Sequence, residues 1–147
     1  MNTFSPSSDQ FLTTAEHAFS FLASEYGFAK AASNAAPIPQ SFRLRFENAT
    51  TAVLVEGQGW GTAATVSIGR KNARPEGNFE LVPLWTLARL KGAEHEAALH
   101  IPGQIAQIEA NAAALRSLAG SALLGDFSAV EVARTYLEER VRKAARG

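Results

Sequence analysis

The sequence predicts an α+β fold: an N-terminal helix, a three- to four-stranded antiparallel β-meander, then C-terminal helices packed on one face of the sheet. Three observations carry this. Apolar residues recur three and four apart near the start of the chain and again over its last third, the spacing of a helical face. Between these regions, short segments alternate with a period of two, the signature of half-buried strands. The connections between those segments are too short for parallel crossovers, which take a dozen residues or more. Helices segregated onto one face of such a sheet define the α+β class.

The first helix runs from Asp9 to Tyr26, with Phe11, Leu12, Ala15, Phe19, Leu22 and Tyr26 on one face. Ser8 is positioned as its N-cap, and Gly27 as a left-handed stop. Ala29 to Gln40 reads as a loop of Ala, Ser, Asn and Pro. Phe42, Leu44 and Phe46 alternate with Arg43 and Arg45 in a first strand, and Asn48–Ala49 makes a tight turn into Thr51 to Glu56. Gly57 to Gly61 reads as a glycine-rich turn carrying Trp60, after which Ala64, Val66 and Ile68 mark a third strand. Phe79 to Val82 offers a short fourth. Pro83 to Leu90 reads as a proline-initiated helix, where the missing N–H costs nothing. Gly92 to Gly103 is expected to be irregular. Ile105, Ile108, Ala112, Leu115 and Ala119 line a helix reaching toward Leu124, with Gly125 as its stop. Ser128 and Glu131 have capping-box spacing. The last helix is expected to bury Val130, Ala133, Leu137 and Val141 and to end on Arg140, Arg142, Lys143 and Arg146, which suit a helix C-terminus.

Composition narrows the function. The 147 residues fit one domain, 1–147, able to bury roughly 70% of the surface its unfolded chain exposes. Much of the apolar 46% is alanine, so the nine phenylalanines carry a large share of the core. With 14 basic and 14 acidic residues the net charge is zero, which disfavours nucleic acid, since each neutralised phosphate needs a cation. The absence of cysteine excludes disulfides, thiolate catalysis and Cys-ligated metals, and fits a reducing compartment. No stretch is apolar enough to span a membrane, and Met1 to Gln10 lacks the basic start and apolar run of a secretory signal. The expected location is the cytoplasm.

The motifs that resemble catalytic or ligand sites fail on spacing. His95 and His100 flank Glu96 but lie five apart, about 140° around a helix, so they do not share a metal-binding face. His17 reads as an exposed surface residue. Gly57, Gly59 and Gly61 are followed by a strand, whereas a phosphate cradle needs a helix N-terminus there. No serine sits in a nucleophile elbow, and Glu138 and Glu139, adjacent on a helix, point apart. No catalytic residue, metal or cofactor is therefore assigned, and the reading is non-enzymatic.

Two features remain. Trp60, at the tip of a hairpin, is either an exposed binding anchor or a ring folded back onto the sheet edge. Arg43 and Arg45 share one strand face. Arg70, Lys71 and Arg74 follow the third strand, and if the strands are neighbours all five form one cationic surface. That surface is either a site for an acidic partner or phosphate-bearing ligand, or a solvated face dotted with long side chains.

Four segments read together carry a resemblance: Phe19 to Phe28, Phe42 to Val55, Phe79–Glu80–Leu81 before Pro83, and Leu123 to Ser128. The chain resembles a loose group of small bacterial cytoplasmic proteins, some of them similar to immunity proteins that bind and neutralise a toxin. The resemblance implies a protein partner and supplies no catalytic residues. The expected function is thus a non-enzymatic, immunity-like protein-binding domain using the outer sheet face, with Arg43, Arg45, Trp60, Arg70, Lys71 and Arg74 as partner-binding residues. Two alternatives stand beside it. One is a small-molecule-binding or enzymatic domain with a pocket between sheet and helices. The other is a self-associating subunit such as a homodimer.

Overall fold

The computed structural model describes residues 8–35, 42–58, 63–74, 79–92, 99 and 101–146. Two helices, α1 (Ser8–Ala18) and α2 (Phe21–Tyr26), lead into five strands: β1 (Ala29–Ala35), β2 (Phe42–Glu47), β3 (Thr51–Gln58), β4 (Ala63–Arg70) and β5 (Leu81–Pro83). The chain continues through α3 (Leu84–Lys91), α4 (Gln104–Leu118), α5 (Gly120–Leu123) and α6 (Ser128–Arg146). The strands form an antiparallel meander in sequence order. The class and element order are as the sequence predicts, but the sheet has five strands rather than three or four.

The additional strand is β1, in the segment read as a loop. Ala, Ser and Asn have low strand propensity and no alternating pattern there, and β1 takes its conformation from pairing with β2. It lies at the sheet edge, with a register shift between Lys30 and Ala32. Lys30 is tied to Glu16 of α1 at 2.9 Å. A bulge and a charged residue both discourage edge-to-edge pairing. β5 starts two residues later than the alternation suggests, because Phe79 has φ 58, a left-handed conformation that a strand cannot use.

Register explains the core. Phe42, Leu44 and Phe46 alternate inward on β2, Val53 and Val55 on β3, and Ala64, Val66 and Ile68 on β4, giving rows such as Phe46–Val53–Ile68–Val82. Gly57, expected in a turn, lies within β3 opposite Phe42. A Cβ there would come within 2.2 Å of the Phe42 ring, so the ring covers the glycine.

The first helix breaks in two. Ser20 and Leu22 take three-residue hydrogen bonds at 3.2 and 3.0 Å, and the kink turns Phe19, Phe21 and Leu22 all into the core. A straight helix would have left Phe21 outside the apolar stripe. Phe19 then packs 6.4 Å from both Phe21 and Phe46. Gly27, at φ 71, ends α2 as expected.

Four further expectations shift. The helix expected to reach Leu124 is interrupted at Ala119, and α4 buries Gln104 and Asn111 while leaving Ile105 exposed. Asn111 donates to the Gln107 carbonyl at 2.8 Å, which makes its burial tolerable. Ser128 does not form a capping box with Glu131. It lies inside α6, and Asp126 Oδ1 accepts from its amide at 3.0 Å and its hydroxyl at 2.6 Å. Val141 is 56% exposed rather than buried, because α6 runs on past the body it packs against.

Asn48 fastens the hairpin to the helices. Its Oδ1 accepts from the amides of Thr50 and Thr51, while Nδ2 donates to the carbonyls of Tyr26 and Leu123. Thr51 Oγ1 adds a buried bond to the Ala122 carbonyl at 2.8 Å.

Candidate interaction surface

The outer face of the sheet is built from the residues that alternate away from the helices. Its rows are Arg43–Glu56–Thr65, Arg45–Leu54–Ser67–Pro83 and Glu47–Ala52–Gly69–Leu81. The first row is polar and the other two carry an apolar centre. Ala52, Leu54, Ala73 and Leu81 form a small second core, separate from the one beneath the helices. β4 passes close to the chain before β5, where a Cβ on Gly69 would meet the Glu80 carbonyl at 2.2 Å.

Register places Arg43 directly opposite Glu56, and the two pair at 2.9 Å. Arg43 remains half exposed at 51%. Arg45, on the same face, is held differently and is only 16% exposed. Its Nε donates to Glu47 at 2.8 Å, and its Nη2 donates to the carbonyls of Lys71 at 2.9 Å and Ala73 at 2.8 Å. Arg45 is thus a clamp between β2 and the turn after β4. Burial with three charge-assisted bonds makes it structural.

The remaining expected cations divide. Arg70 follows the inward parity of Val66 and Ile68 and turns toward the helix side, with its guanidinium 4.6 Å above the Phe127 ring and 3.7 Å from Glu131. It is therefore not on the face that holds Arg43 and Arg45. Arg74 pairs with Glu80 at 2.9 Å, and its hydrogen bonds hold the Glu80 carboxyl below its ordinary range. Lys71 contributes its carbonyl to the Arg45 clamp, and its side chain is exposed. Trp60, His95 and His100 lie outside the described residues. Among the described residues, no group of three His, Asp or Glu side chains is placed to hold a metal, and no helix is long and apolar enough to cross a membrane.

Sequence reasoning missed the concavity on this face. Arg43, Leu54, Glu56, Ser67, Phe79, Leu81 and Pro83 line a hollow of about 280 Å³. Leu54, Phe79, Leu81 and Pro83 supply apolar walls, the Arg43–Glu56 pair a polar rim, and Ser67 a small residue that leaves room. The alternation in β3 and β4 was a usable signal: Leu54 is a large apolar residue at an outward position, set opposite a small one. Phe79 also borders a second hollow of about 190 Å³, beside Arg70, Glu80, Val130, Glu131 and Arg134.

No family model, curated protein or solved structure matches the chain.

Proposed function

We propose that this protein is a non-enzymatic protein-binding domain whose contact surface is the outer face of the sheet. The observation that carries the reading is the hollow between β3, β4 and β5, with its apolar walls and the Arg43–Glu56 rim. An apolar centre ringed by polar groups is the usual composition of a protein contact site. The ion pairs refine the chemistry. Arg43 and Arg45 each lie beside a carboxylate, so this face recognises a partner by shape and paired hydrogen bonds rather than by excess positive charge. The immunity-like form of the proposal makes that partner a toxin whose surface seats an apolar side chain in the hollow lined by Leu54, Phe79, Leu81 and Pro83.

The small-molecule alternative has less support. A cavity of about 200 Å³ lies between β4, α3 and α4, lined by Val66, Trp85, Gln107 and Asn111 among others. Its polar groups serve the fold: Gln107 Oε1 accepts from the Ala64 amide, and its Nε2 donates to the Ile101 carbonyl, both at 2.8 Å. The volume is also below the roughly 300 Å³ at which ligand pockets begin.

Co-purification from lysate of the native organism tests the proposal. A protein retained stoichiometrically by the wild type and lost by Ser67→Arg, which fills the hollow, supports it. Equal retention by both removes the sheet face from the account.

A further inference from the structure

Ion pairs among the described residues are tight with two exceptions, and both arginines concerned line one hollow. Lys30–Glu16, Arg43–Glu56 and Arg74–Glu80 meet at 2.9 Å, Arg45–Glu47 at 2.8 Å, and Arg116 bonds directly to Glu25. Arg70 stands 3.7 Å from Glu131, and Arg134 stands 3.9 Å from Glu138. Those separations exceed the reach of an N–H···O bond, about 2.7–3.2 Å. Among the described residues neither guanidinium donates a hydrogen bond; Arg70 rests instead 4.6 Å over the Phe127 ring, a contact that orients the cation without using its N–H groups.

The hollow has a volume of about 190 Å³ and lies between the β4–β5 connection and α6. Arg70 reaches it from the end of β4. Arg134 follows Val130 and Glu131 by four and three residues, so all three share one side of α6. Its two carboxylates differ. Glu80 is occupied: Oε2 accepts from Arg74 Nε at 3.0 Å and Oε1 from the Arg74 amide at 3.3 Å, and these bonds hold its carboxyl below the ordinary range. Glu131 accepts no side-chain hydrogen bond among the described residues, and Glu138 is not in the wall. Two guanidiniums with unused donors therefore face one carboxylate with unused acceptors, an excess of one positive charge.

We propose that this hollow is a carboxylate site, and that it seats an aspartate or glutamate side chain of the protein that docks on the outer sheet face. The source of the carboxylate rests on the reading of that face; the site itself does not. Arg70 and Arg134 would donate charge-assisted bonds to the carboxylate oxygens, with Val130 and Phe79 against the methylenes. One carboxylate balances the excess charge, whereas a phosphate dianion beside Glu80 and Glu131 would leave the hollow negative. The volume is below the roughly 300 Å³ at which ligand pockets begin, which selects a side chain over a larger free ligand. Phe79 joins the two sites. Held at φ 58, it walls both this hollow and the apolar one on the sheet face. A partner would thus place an apolar and an acidic side chain on either side of one residue.

Nitrogen–proton correlation NMR of the arginine Nε–Hε groups, with the full chain titrated by N-acetylglutamate α-amide, tests the site. The expected result is saturable shifts at Arg70 and Arg134, absent at Arg43 and Arg45 and absent with the glutamine analogue. Arg134→Gln should weaken binding at least about tenfold. Glu131→Gln removes the competing carboxylate and should tighten it by up to about fivefold. Thermal melts should show both variants folded; Arg70→Gln is the substitute if Arg134→Gln is not. No saturable shift, equal shifts at Arg43, or tighter binding of inorganic phosphate overturns the site. The co-purified partner tests the source: Arg134→Gln should weaken its binding at least about tenfold. A partner released by Ser67→Arg but held equally by Arg134→Gln overturns the proposed occupant and leaves the sheet face standing.

Discussion

Arg43 and Arg45 are two residues apart on one strand face, yet their truncation should have very different consequences. Arg45→Met keeps most of the aliphatic stem of a side chain that is 16% exposed and removes the head group that bonds to Glu47, Lys71 and Ala73. Hydrogen bonds to charged groups contribute about 1.5–3 kcal/mol each, but the loop carbonyls regain water once the arginine is gone. A net loss of about 2–4 kcal/mol follows. With a urea m-value of about 1–3 kcal/mol/M, the midpoint should fall by about 1–2 M at unchanged slope. Arg43→Met removes one pair in which the arginine is 51% exposed. Exposed pairs contribute about 0–1 kcal/mol, so its midpoint should barely move. Urea unfolding of the two variants beside the wild type decides the matter. Equal midpoints would refute the assignment of Arg45 to the fold and of Arg43 to the surface.

Asn48→Ala should destabilise by about 2–4 kcal/mol in the same assay, because it strips two amides of their acceptor and leaves the Tyr26 and Leu123 carbonyls without their donor. Gly57→Ala should cost about 1–3 kcal/mol through the clash with the Phe42 ring, and Phe42→Leu should recover part of that loss; a neutral Gly57→Ala would contradict the packing. The Asp126 carboxyl is held below its ordinary 3.8 by hydrogen bonds from the Ser128 hydroxyl and then its amide. A depressed carboxylate stabilises the fold above its unfolded pKa and loses that contribution as pH falls through the folded value. Stability should therefore drop below about pH 4, and Asp126→Asn should flatten part of that drop in a pH series of thermal melts.

The sequence made the fold legible where burial and periodicity agree. Phe42, Leu44 and Phe46 specify β2 and its inward face, and Gly27 marks a helix end because only its left-handed backbone fits there. It failed where partners, rather than local pattern, decide. β1 is a strand because β2 lies beside it, and α1 breaks because three apolar side chains at 19, 21 and 22 all have a place in the core. The site was legible only as a set of residues. Alternation puts Arg43 and Arg45 on one face, but the carboxylate opposite Arg43 and the carbonyls that hold Arg45 come from β3 and from the turn after β4. The parity of Arg70 with Val66 and Ile68 was readable, and it already set Arg70 on the other face. The exposed turn of α6 could not be foreseen, because an apolar stripe does not say where the body beneath it ends.

Titration calorimetry of the purified partner recovered by co-purification, against the wild type, Ser67→Arg and Arg140→Glu with Arg142→Glu, tests the central claim most directly. A partner seated on the outer sheet face should bind the wild type and the α6 variant with similar affinity and lose at least about tenfold, or about 1.4 kcal/mol, on Ser67→Arg. Undiminished binding by Ser67→Arg would contradict the assignment of that face.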